Sequence, residues 1–232
     1  MRDVHPSFIV PPVRPRPRRQ LMAEALRRPG SRRITSLFTV VLLLAGIALF
    51  SYPVATDLYG KNRQSDLKEA FRDPGVMTAY AERRIAVGDG LTRLRIPKLD
   101  VDVLVVEGTT TEALRAGAGH YEGSRLPGET GNLAIAGHRT TYNRPLNRMD
   151  ELVEGDVVEL ETPFAVHVYR AVAPFAGHAN PWVVSPDDLS VLDPEGGRSL
   201  LTLTTCHPKG SAEQRLIMRF ELVGSEPLRT SA

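Results

Sequence analysis

One thiol, Cys206, stands in 232 residues beside six histidines. A lone cysteine excludes a disulfide framework and any zinc site built from several thiolates. Two roles remain for it, a small buried hydrophobe or a reactive nucleophile. Strand alternation helps to separate them. Along Leu200–Cys206, Leu201 and Leu203 share one face, while Thr202, Thr204 and Cys206 share the other. The thiol therefore projects from a polar face at the end of a strand, which favours chemistry.

A cysteine nucleophile needs a partner that takes its proton or holds its thiolate, and histidine is the usual one. His5 belongs to an N-terminal arm that precedes an apolar span. His167 sits mid-strand between Val166 and Val168, and His178 lies in a loop. His207 adjoins the cysteine and points the other way in an extended chain, unless a turn intervenes. His120 and His138 remain. Along Asn132–His138, Ala134, Ala136 and His138 face away from Leu133 and Ile135. Small residues leading to a histidine at a strand end suit a groove floor, so His138 is the preferred partner. Arg215 opens the next strand, nine residues after Cys206. Adjacent antiparallel strands would return its guanidinium toward the thiol, where it can donate to an oxyanion or a substrate carbonyl. A solvated surface arginine is the alternative. With reference pKa values of about 8.5 for Cys and 6.5 for His, the thiolate–imidazolium pair is only about 1% as abundant as the neutral pair.

These side chains need a scaffold of short strands. Leu91–Ile96 and Val101–Val106 flank a Pro97–Asp100 turn. Asn132–His138, Asp156–Glu161, Phe164–Ala173, Leu200–Cys206 and Arg215–Val223 follow, separated by loops rich in Gly, Pro, Asn and Asp. Thr110–Ala116 reads as one helical turn. Seven or eight short strands with little helix predict a closed β-barrel or sandwich over residues 91–225, followed by a polar tail, 226–232.

The charge is sorted along the chain. Residues 1–33 carry nine arginines and two acids, +7, which leaves −5 for the rest of a chain whose net charge is +2. This asymmetry points to two environments rather than to a nucleic-acid-binding surface. Between them, residues 34–52 form an uncharged apolar run that as a helix is about 28 Å long, enough for a hydrocarbon core of about 30 Å. A cleavable signal peptide is the rival reading; an uncleaved single-pass anchor is preferred, because Tyr52-Pro53-Val54-Ala55 is a poor cleavage site. The positive-inside rule then puts residues 1–33, an Arg/Pro-rich disordered arm, in the cytoplasm, and the rest outside the membrane. Residues 53–90 are expected as a helical stalk or linker, interrupted at Gly60, stopped by Asp73-Pro74-Gly75 and resumed over Val76–Ala86.

The residues around the candidate site resemble a known family. Thr202-Leu203-Thr204-Thr205-Cys206 is similar to the TLxTC signature of sortases, with Arg215 at the expected remove. Asn132–Arg139 resembles the segment that carries their histidine. Gly119-His120-Tyr121, Leu126–Glu129 and Ile96–Leu99 also look like sortase sequence. The resemblance implies an eight-stranded sortase β-barrel and a membrane-bound cysteine transpeptidase. Its substrates would be secreted proteins with a C-terminal LPxTG/LAxTG-type sorting signal, cut between Thr and Gly. A peptidoglycan precursor amine would resolve the thioacyl enzyme, and no cofactor or metal is implied. By resemblance Cys206 is the nucleophile, His138 the general acid and Arg215 the oxyanion and substrate stabiliser. Thr204 and Thr205 become candidate substrate contacts, and His120 a family-typical residue outside catalysis.

Thr140-Thr141-Tyr142, the Arg-rich N-terminus and Cys206-His207-Pro208 are most similar to class E sortases of high-GC Gram-positive bacteria. That class pairs this tyrosine with a preference for Ala over Pro at the second signal position, which makes Tyr142 a candidate substrate-binding residue. Asn143-Arg144 stands where a smaller, Gly-containing pair is expected. Asp73-Pro74 has a counterpart in the lid motif of pilin-polymerising class C sortases, although a helix-terminating turn is the preferred reading. A pilus-building sortase, a hydrolase and a non-enzymatic envelope-binding β-domain are the competing functions.

Overall fold

The computed structural model describes residues 29–173, 177–193 and 196–228. Most of the Arg/Pro-rich arm and the end of the polar tail lie outside the described residues. The apolar run is part of helix α1 (Pro29–Ala70). Mean hydropathy reaches 2.3 over an 18-residue window of this helix, and none of that window is buried. The chain divides into two compact units, Met1–Ser51 and Tyr52–Ala232.

In the second unit the helix continues through Gly60 without the expected interruption. The glycine serves close approach instead, since a Cβ there would sit 2.8 Å from Asn143 Nδ2. Thr56, Gly60 and Gln64, four residues apart on one face, form a buried stripe. Gln64 fastens it. Its Nε2 donates to Leu104 O (2.9 Å) and Ala116 O (2.7 Å), and its Oε1 accepts from Leu104 N (2.6 Å). Leu67, one turn on, packs against Val106, Ala113 and Ala116. Asp73 then caps helix α2 (Pro74–Ala81), its carboxylate accepting from Gly75 N at 2.7 Å. The helix expected to reach Ala86 ends at Ala81.

The strands are β1 (Gly90–Ile96), β2 (Val101–Glu107), β3 (Ala118–His120), β4 (Gly131–Gly137), β5 (Val157–Glu161), β6 (Ala165–Ala171), β7 (Trp182–Val184), β8 (Ser199–His207) and β9 (Gln214–Pro227). Helix α3 (Thr111–Ala116), capped by Thr110, lies between β2 and β3. Eight strands close in the order β6-β5-β1-β2-β3-β4-β8-β9, with β9 returning to β6, and β7 hangs on β9 as a ninth. The barrel is mixed, because β2–β3 and β4–β8 run parallel. Its interior holds Leu94, Ile96, Leu133, Ile135, Tyr169, Leu201, Leu203, Met218 and Phe220. Each large apolar side chain so buried contributes about 1.5–3 kcal/mol.

Neither three-residue strand was expected from the sequence. The expected Arg215–Val223 strand extends at both ends, from Gln214 to Pro227. The half from Gln214 to Glu221 pairs with β8, and the half from Phe220 to Pro227 with β6.

Candidate active site

Strand register assembles the site. Strand β8 lies between β4 and β9, and its outward positions meet theirs in rows. Thr202 pairs with Ala134 and Arg219, and Thr204 with Ala136 and Ile217. Cys206 pairs with Arg215. The last β4–β8 pair is Ala136–Thr204, and the same register carried two residues further would bring His138 level with Cys206. With strands about 4.8 Å apart, the three candidate side chains span about 10 Å of one barrel rim.

The rows grade from sealed to open. In the first, Thr202 Oγ1 donates to Asn132 Oδ1 (2.8 Å) and accepts from Arg219 Nε (3.3 Å), while Arg219 Nη2 donates to Val191 O (3.0 Å). In the second, Thr204 Oγ1 is 3.1 Å from Tyr121 OH. In the third, His138, Cys206 and Arg215 are all half-buried. Beside the second and third rows is a narrow cleft of about 20 Å³, bounded by Tyr121, Thr204, Arg215, Val184 and Leu189. A larger cavity, about 600 Å³, lies between α1 and the barrel, lined by Lys61, Lys68, Arg144 and Arg148. The smaller cleft is the one that shares walls with the row.

Arg215 Nη1 donates to Ala212 O (2.9 Å) and Gln214 O (3.0 Å). These bonds fix the turn and leave further guanidinium donors for a ligand. Thr205 does not join the other candidate contacts. It lies on the inner face, 3% exposed, and its Oγ1 donates to Gly137 O at 2.7 Å, which ties β8 to the residue before His138.

The remaining described histidines are engaged elsewhere. His120 is buried, its Nδ1 2.8 Å from Glu107 Oε2 and its Nε2 2.7 Å from Ser124 Oγ. His167 meets Ser225 Oγ (2.8 Å), and His178 stacks on Trp182. His207 stays in the extended strand and points away from the thiol, its Nδ1 accepting from Arg139 Nη1 at 3.0 Å.

Arg139 is a residue that the sequence reading passed over. It is 3% exposed, donates to Cys206 O (3.1 Å) and pairs with Asp150 (3.1 Å), so it ties the end of β4 to the backbone of Cys206. Its signal was position alone, adjacent to His138.

The loop after His138 carries Tyr142, whose ring lies 5.2 Å from the imidazole at a 36° tilt. Tyr59 meets that ring edge-on at 6.2 Å, and the Arg115 guanidinium lies 5.9 Å from its centroid. Tyr142, Asn143 and Arg144 all adopt left-handed backbone, with φ of 50°, 63° and 49°. This conformation costs a non-glycine residue about 1–2 kcal/mol, so the expected Gly-containing pair is replaced by a strained turn. Helix α1 supports it. Asp57 Oδ1 accepts from Asn143 N (3.1 Å), and Oδ2 accepts from Arg144 Nη2 (2.6 Å). Burial, aided by the Arg115 charge, pushes the His138 pKa down from its ordinary value. The neutral imidazole is thereby favoured, and the imidazolium is a stronger acid when it forms.

A Sortase domain family model matches residues 94–223. The chain is similar to Sortase SrtE1 of Streptomyces coelicolor, 32% identical over 72% of this chain and 47% of that protein. It is similar also to Sortase D of Bacillus subtilis, 34% identical over 54% of this chain and 60% of that one. The chain therefore spans about half to three fifths of those two relatives. Among solved structures, a Clostridium perfringens Sortase D5 transpeptidase superposes with a TM-score of 0.60 at 29% identity, covering 73% of this chain and 99% of the other.

Proposed function

Because this chain belongs to the sortase family, we propose that it is a cysteine transpeptidase that works on C-terminal sorting signals of secreted proteins. The observation that carries the reading is the strand register at the open rim, which pairs Cys206 with Arg215 and, on the β4 side, ends two residues short of His138. In this reading the Cys206 thiolate attacks the carbonyl carbon of the signal's Thr, forming a C–S bond. The Thr–Gly C–N bond breaks, and His138 gives its proton to the leaving Gly amine. Arg215 donates from its remaining N–H groups to the oxyanion. An amine of a peptidoglycan precursor then attacks the thioester, gives up its proton to His138 and regenerates the thiolate.

The sealed first row supports a substrate path that ends at the rim, with Thr204 and Tyr142 on its walls. Thr205 acts through its bond to the Gly137 carbonyl rather than by touching substrate. The similarity to SrtE1 and the Tyr142–His138 contact favour a class E enzyme that takes LAxTG ahead of LPxTG signals. The N-cap made by Asp73 supports reading Asp73-Pro74 as a turn rather than as the lid of a pilus-building enzyme. The apolar stretch of α1 supports a membrane anchor, and the +7 arm before it a cytoplasmic N-terminus with the barrel outside.

The test is to incubate the full chain in detergent with LAxTG and LPxTG peptides and to search by mass spectrometry for acyl-Cys206. Adduct and cleavage that vanish in Cys206→Ala, with the LAxTG peptide processed faster, are the expected results. A folded, reduced chain that yields neither adduct nor cleavage would refute the transpeptidase. Cleavage with water as the only acceptor, even when peptidoglycan precursor amines are supplied, would identify a hydrolase.

A further inference from the structure

We propose that Asp57, outside the matched domain, is a positioning residue for the catalytic row: it holds the 142–144 turn, and with it the Tyr142 ring, against His138. The inference rests on the sortase reading of His138 and adds to it a residue from the helix that precedes the domain.

Asp57 engages two consecutive residues of the turn, the backbone N–H of Asn143 and the guanidinium of Arg144. Those residues and Tyr142 have the strained φ values, a conformation that a free loop would leave. Gly60, one turn further along α1, lets the helix come within reach, since an alanine methyl would press on the Asn143 side chain. Tyr59, from the same helix, meets the Tyr142 ring edge-on. The helix is itself fixed at a separate point by Gln64, so Asp57 is presented from a docked element. The chain of contacts runs from Asp57 on the docked helix to the 142–144 turn, to Tyr142 and to His138.

The two bonds of Asp57 differ in weight. Arg144 is about half exposed, and an ion pair of that kind contributes little. The bond to the Asn143 N–H sets the turn. Asp57→Asn retains an acceptor for that N–H and Asp57→Ala does not, so the two variants separate positioning from charge.

The experiment uses the full chain in nanodiscs, with steady-state cleavage of LAxTG and LPxTG peptides. Asp57→Ala is expected to raise KM about tenfold, with kcat within about threefold of wild type, and to bring the two peptides' kcat/KM values together; about tenfold in KM corresponds to ~1.4 kcal/mol. Asp57→Asn and Arg144→Ala are expected within about threefold of wild type. Hydrogen exchange over residues 140–147 should quicken about tenfold or more in Asp57→Ala, with the barrel strands unchanged.

Wild-type KM and peptide preference in a folded Asp57→Ala would overturn the proposal, as would unchanged exchange in the turn. If Asp57→Ala does not fold, Asp57→Glu, whose longer side chain displaces the turn, decides: raised KM at unchanged melting supports the hold, and wild-type KM refutes it. Should the wild-type chain acylate neither peptide, the sortase reading fails, and the exchange measurement still decides whether Asp57 holds the turn.

Discussion

Replacing Gln64 with leucine removes three hydrogen bonds at once while keeping the side chain's approximate bulk. The amide joins α1 to the backbone of Leu104 on β2 and of Ala116 at the end of α3, at 2.6–2.9 Å, and Gln64 is 6% exposed. A buried hydrogen bond contributes about 1 kcal/mol net, and a backbone group left unsatisfied costs about 1–3 kcal/mol. Three such groups, less about 1 kcal/mol returned by the apolar side chain, put the loss at about 2–8 kcal/mol, a large part of the 5–15 kcal/mol that stabilises a typical domain. For a unit of this size about 2–4 °C is lost per kcal/mol, so the melting temperature should fall by roughly 4–32 °C. Trp182 is the single tryptophan and sits on β7 against the barrel, so its fluorescence reports melting of the full chain directly. Gln64→Glu keeps the acceptor for Leu104 N and loses both donated bonds, so it should also melt below wild type. A shift under about 2 °C for Gln64→Leu would show that α1 adds nothing to the barrel's stability and would refute the docking argument.

The acidic limb of the kcat/KM profile should lie below the ordinary histidine range, because burial and Arg115 both depress His138. Arg115→Gln removes the cationic contribution, and the limb should move toward higher pH in a pH–rate series. Arg139→Met takes the guanidinium from the Cys206 carbonyl and from Asp150, which keeps Lys209 at 3.6 Å, and should lower kcat about tenfold or more together with the melting temperature, read by peptide cleavage and Trp182 fluorescence. Thr205→Val keeps the shape and loses one buried bond, so it should cost about 1 kcal/mol, roughly 2–4 °C, with the Cys206 adduct still formed.

What was legible in the sequence was legible through alternation. The period of two along Asn132–His138 and Leu200–Cys206 separates core residues from outward ones, and the structure keeps that division: Leu133, Ile135, Leu201 and Leu203 lie in the core. Strand β3 was missed because Ala118-Gly119-His120 is too short and too small to alternate visibly. Strand β7 was missed because its three residues sit in a Pro- and Asp-rich stretch. The role of α1 was hidden for another reason. Its buried stripe is Thr56, Gly60 and Gln64, and a search for apolar periodicity does not register a polar face. A glycine's usual meaning in a helix is weakness, whereas here Gly60 leaves room for Asn143. The three left-handed residues are beyond sequence reasoning altogether, since neither Tyr142 nor Arg144 favours that conformation.

Strand β9 carries Arg215 near its beginning and seals the ring against β6 near its end. Protein synthesis runs from the N-terminus, so His138 and Cys206 are made well before the residues that close the cylinder. A growing chain therefore passes through a stage in which the thiol exists but its arginine does not, and the wall behind it is still open. The last strand ends that stage by completing the barrel and the row together. The residue that faces Cys206 and the segment that closes the cylinder thus belong to one strand, so neither can be in place without the other's chain.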